Sequence, residues 1–149
     1  MTNRMKLEGF RRIILGASDI LDLSQTDLAL IRLGSQRQLC SWMQNKQNER
    51  CRVCKSGDQY DLEVFTQEPV NTIPLLFLWI SNGRHCFDII LLYHYLQLTT
   101  LPDGTFISRY GRATNPLDRL PFTPEELNRI GRRYTTIYSL MQTVHDMII

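Results

Sequence analysis

The stretch NPLDRLPFTPEELNRI, residues 115–130, constrains the chain more than any other. Its first half holds Pro116 and Pro121. Each fixes φ and lacks an N–H, so neither a helix interior nor a central strand can run through it. Its second half opens a helix. Thr123 is a good N-cap, and Pro124 takes the first helical position, where a missing N–H costs nothing. Glu126 stands three residues past the cap, within reach of the Thr123 N–H. Glu125 and Glu126 both favour the positive helix end. A stiff loop therefore abuts a helix start, and any fold must accommodate that junction. Leu127, Ile130, Tyr134, Ile137, Met141, Val144 and Ile148 recur at helical spacing, which predicts a helix from 124 to near 149. Gly131 weakens its first turns by about 1 kcal/mol relative to alanine. The apolar end Met147-Ile148-Ile149 is expected to pack on a partner or on the chain's own core.

Upstream the pattern changes twice. Residues 7–16 (LEGFRRIILG) read as a short helix ending at Gly16. Ser24 and Asp27 have capping-box spacing, with Asp in place of the usual Glu or Gln. Leu28, Ile31, Leu39, Trp42 and Met43 follow at helical spacing, with Gly34 as a break. The polar run QNKQNER (44–50) reads as a frayed end and linker, which places a module boundary there. From Cys51 to Val70 no helical period persists. PLLFLWI and RHCF then read as two strands joined by SNG, where Asn82-Gly83 supplies the positive φ angles of a tight hairpin. Asp88 can cap a helix over IILLYHYLQ, apolar round most of its circumference and so expected to be buried. Pro102-Asp103-Gly104 marks a turn inside 98–114, read as an inserted hairpin or long loop. No internal repeat is evident.

The chain has 149 residues, four cysteines and a formal net charge of +2. That length suits one compact domain or a small domain with a helical extension. The balanced charge argues against a nucleic-acid binder, which usually carries a basic stripe. The longest apolar run, PLLFLWI, is too short for a membrane span. The start MTNRMKLEGF has no apolar core of a secretory signal. An intracellular setting, cytoplasm or nucleus, is thus expected, with the cysteines as free thiols or metal ligands rather than disulfides. Cys51-x-x-Cys54 is a zinc-ligand spacing, and Cys86, following the hairpin, can return to it. His85 or Cys40 would complete the set. Adjacent strand residues face opposite ways, so only one of His85 and Cys86 should reach a given ion. The other reading makes all four cysteines small buried hydrophobes with no cofactor. No sequence motif of hydrolases, nucleotide-binding loops or zinc proteases is present, and no catalytic residue is assigned. His94 and His145 read as helix residues. Arg129, Arg132 and Arg133 form a basic patch, read either as a solvated helix face or as a site for phosphate or an acidic partner.

The order DLEVFTQEPV, NGRHCFDI, YHYLQ and NPLDRLPFTPEEL resembles the U-box, the metal-free relative of the RING domain, over about residues 51–130. The matching elements are Glu68-Pro69, Phe87-Asp88, Asn115-Pro116 and Arg119 with Pro121. The resemblance implies an α+β fold, a small ββα module with the 98–114 insertion. An N-terminal helical segment (1–50) and a long C-terminal helix (124–149) flank it. It also implies two loops that grip a ubiquitin-conjugating enzyme, with Val53 as the first-loop contact and Arg119, Pro121 and Phe122 in the second. A fainter resemblance is to small U-box-like proteins of large double-stranded DNA viruses.

Two readings follow. One is a non-enzymatic interaction protein, a structural or assembly component such as a minor capsid-associated protein of a virion, whose partners are neighbouring subunits. The other is a ubiquitin ligase of the U-box or RING type. The enlarged loop and the lack of a visible recruitment domain favour the first.

Overall fold

The computed structural model describes residues 3–21, 23–109, 111 and 113–148. The chain divides into two compact units, Met1–Lys46 with Thr136–Ile149, and Gln47–Thr135. Helices and small antiparallel sheets make it α+β, as the sequence predicts.

In the first unit α1 spans Asn3–Gly16, α2 Ser18–Leu21 and α3 Gln25–Leu33, and α4 (Gln36–Cys51) begins there. Ile14, Ile31, Leu39 and Trp42 form the core, with Leu7, Phe10, Leu30 and Met43 packed against it. The predicted capping box is complete. Asp27 N–H donates to Ser24 Oγ (3.1 Å), and Ser24 N–H donates to Asp27 Oδ2 (3.2 Å). Gly34, extended between α3 and α4, has no room for a Cβ, which would collide with the Leu30 carbonyl. A second box, Ser35 with Gln38, then starts α4.

Asp27 also accepts from Trp42 Nε1 (2.8 Å) and pairs with Lys46 (3.3 Å). Burial alone would raise its pKa, but the bonds from Trp42, Ser24 and Lys46 outweigh that and hold the carboxyl below its ordinary value. A carboxyl so depressed stabilises the fold fully above the unfolded pKa, and the contribution is lost as pH falls through the folded one. Asp27→Asn should therefore cost about 1–2 kcal/mol at neutral pH. In an acid titration followed by circular dichroism, the gap between variant and parent should close as the carboxyl protonates.

The expected linker at 44–50 is corrected. Gln, Lys, Glu and Arg are good helix formers, and α4 continues to Cys51. Gln47 is buried, and its amide donates to the carbonyls of Asn71 (3.2 Å) and Ile73, which ties the helix end to the second unit's loops. The division between units falls at 46/47, within the helix.

The second unit is organised on one hairpin, β3 (Leu78–Ser81) with β4 (His85–Asp88), turned by Asn82 (φ 55°) and Gly83 (φ 67°) as predicted. Two smaller hairpins accompany it. One joins β1 (Lys55–Ser56) to β2 (Gln59–Tyr60), and the other joins β5 (Leu98–Thr100) to β6 (Phe106–Ser108), so the 98–114 insertion contains a hairpin. Strand alternation gives the central hairpin two faces. Leu78, Ile80 and Cys86 share one with Cys51, Cys54, Val70 and Ile73. Trp79, Ser81, His85 and Phe87 share the other.

α5 (Ile89–Leu96) is capped by Asp88, whose Oδ1 accepts from the N–H groups of Ile90 (2.9 Å) and Leu91 (3.2 Å). Ile89, Leu92 and Leu96 are buried, but Leu91 and Tyr95 are exposed, so the helix is not buried all round as expected. α6 spans Pro124–Ile148. Thr123 Oγ1 accepts from Glu126 N–H (3.1 Å) as predicted. The Glu126 carboxylate does not complete the expected box. It accepts from Ser81 Oγ instead (2.7 Å), joining α6 to the hairpin. Leu127, Ile130 and Ile137 are buried, while Met141, expected in the same stripe, is exposed. Gly131 has a steric reason: a Cβ there would overlap the Phe106 ring. Val144 and the apolar end Met147-Ile148-Ile149 lie outside the residues whose side chains are described.

Candidate functional site

Two loops of the second unit have the same internal construction, 52 positions apart. Glu63 is fully buried, and its carboxylate accepts the N–H groups of Phe65 (2.9 Å) and Thr66 (3.0 Å). Asn115, 1% exposed, accepts those of Leu117 (2.8 Å) and Asp118 (3.4 Å) through Oδ1. In each loop the N–H four residues on returns to the first carbonyl: Gln67 to Glu63 and Arg119 to Asn115, both 2.8 Å. The residue making that bond is left-handed, with φ 60° at Gln67 and 61° at Arg119. Glu63 N–H donates to Glu68 O (2.8 Å), as Asn115 N–H does to Leu120 O (2.9 Å). A bridge closes each loop, Leu62 with Pro69 and Thr114 with Pro121.

The physical effect is the same in both. One buried acceptor gathers the donors of a tight turn, so the loop carries few unsatisfied polar groups and little freedom. A non-glycine residue in the left-handed region costs energy, which the surrounding bonds offset.

Both loops meet the same face of the central hairpin. Phe65 packs on Phe87 (centroids 6.4 Å) and on Tyr95 of α5 (5.3 Å). Asn115 Nδ2 faces His85 Nδ1 at 3.2 Å, and Asp118 Oδ2 lies 3.7 Å from the same nitrogen. Phe87 and His85 lie two apart in β4, so they share a face. Leu91 and Tyr95, four apart on α5, share a side of that helix. Leu62 (55%), Leu91 (37%), Tyr95 (48%), Leu117 (48%) and Leu120 (61%), on these loops and α5, are exposed, as are Val53, Leu101 and Ile107 elsewhere in the unit. Fully burying such a side chain is worth about 1.5–3 kcal/mol, so a few together can hold a protein contact.

Of the residues singled out in the sequence, Pro121 and Arg119 lie exposed on the second loop. Phe122 is 8% exposed, with its N–H on the Ala113 carbonyl (2.9 Å). Its ring belongs to the interior and not to the contact surface expected of it. Val53 is exposed, but its neighbour Cys54 joins the Cys86 face of the hairpin, opposite the face that the Asn115 loop meets. Phe65 packs on Phe87, on the hairpin face that the Asn115 loop meets.

The thiol expectation is corrected at two positions: Cys54 and Cys86 form a disulfide. Held so, they offer no thiolate to a metal. Cys51 is a buried free thiol that donates to Val70 O (3.4 Å). Burial raises its pKa and Arg50 only partly opposes this, which disfavours the thiolate form. His85 contacts Asn115 and Asp118 on the other face, and Cys40 is exposed in the other unit. Cys51, Cys54 and Cys86 thus share one buried cluster, with two of the three thiols joined to each other, and no group of three or more His, Cys, Asp or Glu is placed to hold a metal among the described residues. No helix among the described residues is long and apolar enough to cross a membrane.

Glu63, Phe65, Leu91 and Leu117 were not singled out in the sequence. The available signal was the repeat of an acceptor residue six positions before a proline, Glu63…Pro69 and Asn115…Pro121. Compared with protein-family models, curated proteins and solved structures, the chain matches none.

Proposed function

We propose that the chain is a protein–protein interaction module whose docking face is made by the paired loops and the exposed side of α5. The observation that carries this reading is the duplicated loop construction, with Phe65 of the first loop packed on Tyr95 of α5. Rigid loops lose little entropy on binding, so exposed Leu62, Leu117 and Leu120 can be buried at low ordering cost. Exposed leucines on stiff loops suit a structural or assembly role, with neighbouring subunits such as those of a virion as partners. The U-box resemblance belongs to this proposal, with Phe65 taking the place first expected of Val53.

The second reading, a U-box-type ligase, is favoured by one specific observation: the two loops flank the hairpin from which α5 departs. Single-turnover discharge of ubiquitin from charged conjugating enzymes separates the two. The assembly reading predicts an unchanged discharge rate. It also predicts that a photo-crosslinker at Leu120 captures a protein neighbour in the native source, while one at the more accessible Leu33 does not. Accelerated discharge that Tyr95→Ala or Leu120→Ala abolishes would replace it with the ligase reading.

A further inference from the structure

A cavity of about 310 Å3 lies between the end of α5 and the β5–β6 hairpin, lined by Tyr93, His94, Gln97, Leu98 and Arg109. The local backbone brings these residues together. His94 lies in the last turn of α5, and Gln97 ends the helix in the left-handed region (φ 51°), with its N–H on the His94 carbonyl (3.1 Å). The strands pair Leu98 with Ser108, and one step further the Arg109 N–H donates to the Gln97 carbonyl (2.9 Å). Packing then fixes the rings. Tyr93 stacks on Tyr134 of α6 (3.7 Å between centroids), and His94 meets both rings edge-on at 5.5 Å. Burial and Tyr134 raise the Tyr93 pKa, so its hydroxyl keeps its proton, and the Arg109 charge partly opposes this, which puts that guanidinium within electrostatic reach of the hydroxyl. The side chains of His94, Gln97 and Arg109 and the Tyr93 hydroxyl have no hydrogen-bond or ion-pair partner among the described residues. No carboxylate lines the cavity.

We propose that this cavity binds the phosphate group of a small phosphate monoester. Every polar head in the lining can donate: a guanidinium fork at Arg109, an amide at Gln97, a hydroxyl at Tyr93 and a ring N–H at His94. A phosphate monoester brings three acceptor oxygens and roughly two negative charges. It can therefore engage more of these donors than a carboxylate, and two of its oxygens match the guanidinium fork. The carbonyl end of α5 opposes an anion. That is a partial charge, already met in part by the Gln97 N–H on the His94 carbonyl, whereas Arg109 carries a full one. Asp103, the acid of the β5–β6 hairpin, is engaged by Thr105. The volume stands at the lower end for small-molecule sites, with room for a glycerol- or sugar-sized body beside the phosphate.

Two histidines of this unit make the test internal. His85 faces Asn115 and Asp118 and does not line the cavity, so its ring resonances serve as the reference for His94. Titrating the full-length chain with glycerol 3-phosphate, at fixed pH and ionic strength, should shift the His94 ring signals saturably and leave those of His85 in place. Arg109→Gln keeps the backbone bond to Gln97 and should weaken the apparent affinity by about tenfold or more. Arg52→Gln, at an exposed arginine outside the cavity lining, should not. Unmoved His85 signals in Arg109→Gln report that the variant is folded. The proposal is overturned if the His94 signals do not move, if both histidines move alike, or if Arg109→Gln binds as the parent does. An equal response to glycerol would remove the phosphate from the account, and an equal response to sulfate would reduce the site to a general anion contact. A tighter response to a phosphoserine peptide or to oligothymidylate would give the cavity to a macromolecule. Each of these results also overturns the proposal.

Discussion

Replacing both Cys54 and Cys86 with serine should lower the unfolding free energy by about 3–4 kcal/mol, the chain-entropy value for a cross-link closing a loop of this length. The bond joins residues separated by 32 positions. It ties the turn after α4 to β4, and the enclosed segment includes β1, β2 and the whole Glu63 loop. Without it, Cys51, Val70 and Ile73 still pack on the Cys86 face, so the unit should fold but melt earlier. The parent protein in excess dithiothreitol should melt like the double variant, and oxidant should restore the gap. Equal melting temperatures for parent and variant under oxidising conditions would mean that the cross-link does not form in solution.

Asn115→Ala should cost about 2–4 kcal/mol. The Asn115 side chain accepts from two backbone donors and faces His85, and it is 1% exposed, so water cannot replace it without opening the loop. Truncation leaves the N–H groups of Leu117 and Asp118 without their acceptor, and buried donors so orphaned are costly. The twin loop supplies the control. Its acceptor is a carboxylate, Glu63, so a carboxylate is chemically competent for this turn. Asn115→Asp should keep the turn and alter only the contact with His85, costing less than half as much in chemical denaturation. If alanine and aspartate are equally damaging, the acceptor role is not what holds the loop.

Local chemistry was legible in the sequence and distant pairing was not. Asn82-Gly83, the Asp88 cap, the Thr123 cap and the Ser24–Asp27 box each depend on residues within three positions of one another, and each forms as predicted. The Glu126 carboxylate was misplaced because a tertiary partner, Ser81, competes for it. α4 was cut short because a polar run looks like a linker until Gln47 is seen buried against the Asn71 and Ile73 carbonyls. The disulfide was missed because cysteine pairing depends on which loop reaches β4, not on the Cys51-x-x-Cys54 spacing. Gly131 looked like a simple helix penalty, and its cause, the Phe106 ring, comes from a hairpin elsewhere in the chain. The paired loops were hidden because their acceptors differ in type, Glu against Asn. The left-handed residues Gln67 and Arg119 are also not the glycine or asparagine that usually marks that conformation.

The proposed docking face requires that both loops be rigid as well as built alike, so that their apolar residues stand in place before a partner arrives. Native-state hydrogen exchange on the backbone amides tests it most directly. Slow exchange is expected at Phe65, Thr66 and Gln67 and at Leu117, Asp118 and Arg119, comparable with the paired strands Leu78–Ser81 and His85–Asp88. Exchange at these six amides near the rate of an unstructured peptide would contradict it.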